Sequence, residues 1–130
     1  MTPARIARVM LEANAFQMHA VIDSMNLDSK SKLAHLKVDA SMTNDDVAME
    51  VLADVGGSEV ARPEMRESTA LGSALPAGAA IGLFGWDLVR PETLSSVNTA
   101  RSTHFLPRLG EEERSEAWRG WLRAVDRSRG

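Results

Sequence analysis

Residues 37–46 read KVDASMTNDD. This stretch has the residue types and spacing best suited to chemistry: an apolar run ending in the carboxylate of Asp39, two small residues, Ala40 and Ser41, and then Thr43 and Asp46 at the opening of a helix. A strand-to-helix turn of this kind can cradle nucleotide phosphates when its central residues are glycines, because a Cβ obstructs both the tight backbone turn and the close approach of the ligand. Ala40 and Ser41 stand where those two glycines would be. Taken by its residues alone, the stretch is an ordinary turn, with Thr43 as N-cap and Asp46 completing a capping box. Asp45 and Asp46 both suit the positive end of the helix dipole.

Other candidates for chemistry are weaker. Asp45 and Asp46 do not make a catalytic carboxylate pair, since neighbouring residues on a helix point about 100° apart and do not face one substrate. Glu67-Ser68-Thr69, ahead of a glycine-rich segment, suits a helix cap as well as a phosphate cradle. His19, His35 and His104 lack metal-ligand spacing, so no metal site is expected. No Ser/His/Asp arrangement has the strained turn of an activated nucleophile. Trp118 and Trp121 share a face with Leu122 and Val125, which is packing, and the seven methionines read as core filling.

The elements that must position the loop follow from periodicity. Ile6, Val9, Met10, Ala13, Phe16, Ala20, Val21 and Met25 recur at three- and four-residue steps, which predicts a helix over 3–25 with one buried stripe. Residues 26–32 are polar and turn-like, and 35–38 (HLKV) read as a short strand. A second helix begins with Thr43 as N-cap, buries Val47, Val51, Leu52 and Val55, and ends at Gly56-Gly57. Residues 58–61 are extended, and Pro63 discourages helix before it. A third helix is predicted over 67–83, with Gly72, Gly78 and Gly82 spaced for close approach of another backbone and Pro76 kinking it. Residues 85–107 read as irregular apart from one helical turn over 91–97. A last helix over 111–127 carries three glutamates in its first turn and Arg119, Arg123 and Arg127 later, an order that complements its dipole. Four apolar-faced helices against two short strands leave the helices without enough sheet to cover.

Composition limits the setting. The 130 residues are 44% apolar and 25% charged, with a formal net charge of −3 and no basic tract, which argues against nucleic acid or an anionic membrane as partner. The absence of cysteine removes disulfide and thiolate-metal chemistry. The opening MTPARIARVMLEANAF is periodic and lacks the pattern of a secretory signal. Residues 70–86, interrupted by Pro76, fall short of the roughly 20 strongly apolar residues of a membrane span and read as a buried helix. A cytoplasmic location is the expectation.

In this order and spacing, four segments resemble the C-terminal end of the glycerol kinase branch of the FGGY carbohydrate kinases: IARVMLEANAFQMHAVIDSMN, LKVDASMTNDDVAMEVLADV, RPEMRESTALGSALPAGAAIGLFGWDL and EEERSEAWRGWLRAVDRSRG. The resemblance covers nearly the whole chain. It implies an α/β fold, a partial actin-like ATPase (ribonuclease H-like) lobe that is helix-rich with few short strands. Residues 1–85 would be the core of the lobe, and 86–130 a C-terminal extension ending in a helix.

It further implies transfer of the γ-phosphate of MgATP to glycerol, giving sn-glycerol 3-phosphate and ADP. The catalytic base and glycerol contacts belong to an N-terminal lobe with no counterpart here, so the chain is expected to be inactive alone and to dock on such a lobe. The alternative is a non-catalytic, self-associating interaction module or pseudogene remnant derived from the kinase. By family position, Ala40 and Ser41 take the places of two nucleotide-contacting glycines and Asp45 that of an asparagine. All three depart from the pattern, and Asp45 places negative charge near a polyanion.

Overall fold

The computed structural model of the chain describes residues 2–39, 41–97 and 101–130. Its elements are α1 (Pro3–Ser29), β1 (His35–Lys37), a 3-10 turn (Ser41–Asn44), α2 (Asp46–Gly56), β2 (Glu59–Arg62), α3 (Ser68–Ala80), 3-10 turns at Leu83–Gly85 and Pro91–Leu94, β3 (Thr103–Phe105) and α4 (Glu111–Ser128). The strands pair in the order β1-β2-β3. The chain divides into two compact units: Met1–Leu36, Asp45–Val60 and Phe105–Gly130 form the first, and Lys37–Asn44 with Ala61–His104 the second.

In the first unit, α1 starts where the sequence demands. Thr2 is its N-cap and accepts the Arg5 N–H, while Pro3 occupies the first turn, where a missing N–H costs nothing. The helix runs past Met25 to Ser29 and stops at Lys30, whose φ is +52°. The polar segment after Met25 stays helical because Asn26 closes the following turn from inside the helix, its Oδ1 accepting the Leu33 N–H at 2.9 Å.

The expected stripe on α1 is corrected. Ala15 is buried and Leu11, Phe16, His19 and Ile22 are half-buried, whereas Ile6, Val9, Met10, Val21 and Met25 are exposed, Met10 by 64%. The helix is apolar on two roughly opposite faces, and α2 and α4 cover one of them.

The core of this unit centres on α2. Ala48, Met49, Val51, Leu52, Ala53 and Val55 are all buried, and Val60 of β2 is 1% exposed. Val47, expected inside, is 53% exposed: because the helix begins at Asp46, Val47 falls in its outer first turn. Gly57 ends α2 with φ +63°, a conformation that favours glycine, and its N–H bonds the Ala53 carbonyl at 2.9 Å.

Phe16 of α1 stacks on Trp121 at 5.9 Å, Trp118 stacks on Trp121 at 4.9 Å, and His19 meets Trp118 edge-on at 4.7 Å. The tryptophans thus pack, as their spacing predicts. Ahead of α4, the Arg108 N–H bonds Asp54 Oδ1 at 2.6 Å and its guanidinium pairs with Glu50, tying the entry of α4 to α2. Gly110 is the N-cap of α4, and its N–H donates to Glu113 at 2.9 Å.

The second unit carries α3. Among its described residues only Gly78 is buried, and Ile81 and Phe84 beyond it are 79% and 77% exposed, so the expected buried helix is an exposed one. Within its own unit α3 packs on the Leu83–Gly85 turn. Pro76 lies inside the helix, which ends at Ala80, and Gly82 then takes φ +69°.

The close approach expected at three glycines occurs at one, and it is a side chain that approaches: a Cβ on Gly78 would lie 2.8 Å from the Trp86 ring, while one on Gly72 would meet nothing within 4 Å. The sequence also missed β3. Three residues, Thr-His-Phe, are too few to show alternation, and the strand exists through its pairing with β2.

These two glycines should respond to alanine with opposite signs in chemical denaturation. Gly78→Ala must displace the Trp86 indole and should destabilise by about 1–3 kcal/mol. Gly72→Ala enters open space on a helix and should stabilise by up to about 1 kcal/mol.

Candidate functional site

The loop after β1 is built from both sides. The Val38 N–H bonds the Ala61 carbonyl at 3.0 Å, which extends the pairing of the strand to the edge of the loop. Asp39 is exposed. Ala40 lies outside the described residues. Ser41 is the first residue of the 3-10 turn Ser41–Asn44. Asp45 is extended, with φ −96° and ψ 118°, and is the N-cap of α2: its Oδ1 accepts the Val47 N–H at 2.8 Å.

This corrects the expected cap. The N-cap of α2 is Asp45 rather than Thr43; Thr43 is 3% exposed inside the 3-10 turn, and the helix starts two residues later than its threonine suggested. Every residue of TNDD is of a cap-competent type, and aspartate is a better cap than threonine. The Asp45 carboxylate therefore has a local job: it satisfies an amide at the helix N-terminus, next to the favourable end of the dipole.

Two arginines hold the turn, and the sequence reading passed over both. Arg62, at the end of β2, is 7% exposed, and its Nη1 donates to the Thr43 carbonyl at 2.8 Å. Arg66, four residues on, donates through Nη1 to Asn44 Oδ1. The available signal was a pair of arginines flanking a proline directly after a predicted strand, in RPEMR; which carbonyl they reach is decided in three dimensions.

The remaining candidates stay apart from this loop. Glu67 is the N-cap residue of α3 but makes no side-chain cap bond, so α3 begins without the expected side-chain cap from this residue. His35 Nδ1 lies 2.7 Å from Glu59 Oε2, and His19 Nε2 lies 3.6 Å from Asp23. Among the described residues no group of three or more His, Asp or Glu could hold a metal ion.

A groove of about 760 Å³ in the second unit is lined by residues including Met65, Leu71, Phe84 and Trp86. A smaller cavity of about 210 Å³ in the first unit is lined by residues including His19, Lys32, Glu111 and Arg114. Neither is lined by residues 39–46.

Comparison with known proteins identifies the family to which this strand, turn and N-capped helix belong. Residues 1–81 match the C-terminal domain of the FGGY family of carbohydrate kinases, and the chain belongs to that family. Among individual proteins it is similar to glycerol kinases. It is 39% identical over 129 residues to glycerol kinase 1 of Streptomyces avermitilis, spanning 99% of this chain and 24% of that protein. With the glycerol kinase of Renibacterium salmoninarum it shares 44% identity over 123 residues, 95% of this chain and 23% of that one.

The crystal structure of Plasmodium falciparum glycerol kinase with ADP matches with a TM-score of 0.80 at 26% identity, over 98% of this chain and 25% of that chain. The fold is thus part of an actin-like ATPase lobe, helix-rich with a small three-stranded sheet. The chain spans about a quarter of the length of the relatives it matches.

The cap assignment has a direct check in urea unfolding. Asp45→Ala should cost about 1 kcal/mol, whereas Asp45→Asn, which keeps an oxygen for the Val47 N–H, should cost no more than a few tenths.

Proposed function

We propose that this chain is the nucleotide-binding end of a glycerol kinase, a phosphotransferase that converts glycerol and MgATP to sn-glycerol 3-phosphate and ADP in the cytoplasm, and that it requires the rest of such an enzyme to act. The observation that carries this reading is similarity over nearly the full chain to glycerol kinases four times its length, with the fold of one that was crystallised with ADP. Residues 1–85 are the core of the lobe, and residues 86–130 are an extension ending in α4.

Phosphoryl transfer depends on positioning and charge stabilisation. The described loop contributes backbone amides and the start of α2, while the resemblance assigns the base that takes the alcohol proton and the glycerol contacts to an N-terminal lobe. The nucleotide would lie against Ala40, Ser41 and Asp45. Side chains at the two glycine positions and a carboxylate at the asparagine position all weaken its hold.

A second reading is that the chain works as a non-catalytic interaction module. One observation favours it: the uncovered face of α1, with Ile6, Val9, Met10, Val21 and Met25 exposed along one helix. Exposed apolar surface of that extent marks a surface made to meet another. The first reading uses the same face to dock on the remainder of a kinase; the second uses it for self-association.

Calorimetric titration with MgADP and MgATP, with and without glycerol, tests the proposal. The chain alone should bind nucleotide no more tightly than about 1 mM and should form no glycerol 3-phosphate. The triple substitution Ala40→Gly, Ser41→Gly, Asp45→Asn should tighten MgADP binding by at least about tenfold, the equivalent of one well-made contact. Micromolar affinity in the unaltered chain would overturn the reading of the loop, and turnover of glycerol would overturn the need for a second lobe.

A further inference from the structure

We propose that Arg62 and Arg66 are positioning residues that hold the nucleotide loop in shape, a role that rests on the reading of residues 39–45 given above. A four-residue 3-10 turn is poorly self-sustaining, because its i→i+3 hydrogen bonds have strained geometry and its runs are short. The turn Ser41–Asn44 must therefore be framed from outside, and the two arginines grip its last two residues in different ways.

Arg62 Nη1 binds the main chain, through the Thr43 carbonyl at 2.8 Å, and Arg66 Nη1 binds a side chain, through Asn44 Oδ1. Gripping carbonyl and side chain together fixes the peptide planes of the turn, and with them the direction in which its N–H groups point.

The cost of Arg62 argues that this grip matters. A guanidinium buried to 7% exposure is costly unless it is well hydrogen-bonded. Arginine suits the place because its planar fork fixes direction as well as distance, which the point charge of lysine does not. Between the two arginines, Pro63 is fully buried and locks its own φ, so the short arm from which both hang has little freedom of its own. The arm and the turn belong to the same compact unit. The chain thus carries a rigid external frame for a loop whose glycine positions are filled by Ala40 and Ser41, and the frame sets where any phosphate would meet the loop's amides.

Amide hydrogen exchange followed by mass spectrometry tests this on the whole chain. Arg62→Lys and, as the milder and more exposed change, Arg66→Ala should each speed exchange at residues 41–46 by roughly tenfold, the effect of losing a hydrogen bond from a charged group. Amides in the middle of α2 (51–55) should keep their rates. Unchanged rates at 41–46 in both variants, or equal acceleration in α2, would overturn the proposal, the latter by revealing general destabilisation.

A second arm uses the chain with Gly, Gly and Asn substituted at positions 40, 41 and 45: adding Arg66→Ala should weaken MgADP binding about tenfold, and unchanged affinity would overturn the positioning role. If that substituted chain fails to bind MgADP at all, the reading of the loop falls, and the exchange rates alone then decide whether the arginines frame the turn.

Discussion

The burial of α2 is the constraint on which the described structure of the first unit depends. Six of its eleven residues are buried, Ala53 completely, and Val60 of the following strand is closed over as fully. Such packing leaves no room to slide or rotate the helix, because a shift of one residue would bring Val47 inward and drive a packed side chain out. With α2 immobile, its first residue becomes a fixed point in space. The Asp45 cap, bonded to the Val47 amide within the same unit, inherits that fixity.

The loop has a second set of constraints, and they are polar. Thr43 is buried among groups that must be satisfied, and the guanidinium of Arg62 meets its carbonyl. Asp45 meets the Val47 amide. The described residues of the turn are thus held by a local cap on one side and by two arginines reaching from the end of β2 and beyond it on the other.

Membership of the FGGY family also explains the imbalance between helices and sheet. Three short strands cannot occupy the apolar faces of four helices, and the structure does not try: one face of α1 and most of α3 remain exposed. A helix apolar on two opposite sides belongs in the middle of a layered fold, with another layer on its far side. In relatives four times as long, there is chain enough to supply one. The periodicity of α1 was read as a single stripe because hydrophobic spacing reports that a face is apolar and is silent about which of two apolar faces a given neighbour will cover.

The sequence by itself determined the order of the four helices and the first two strands, the start of α1 at Pro3, the end of α2 at Gly56-Gly57, the packing role of Trp118 and Trp121 and the family, because each is written in local spacing or in residues with one conformational use. It singled out residues 39–45 as a candidate loop, flanked by a strand and a helix. Tertiary structure alone decided that Asp45 rather than Thr43 caps α2, that β3 exists, that Gly78 makes room for a ring, and that Arg62 and Arg66 reach the turn. The strand pairing, the room at Gly78 and the reach of the arginines each depend on a group outside the local pattern, which carries no information about what will arrive, while the cap turned on which of several adjacent cap-competent residues the helix would start from, a choice that a run of them leaves open.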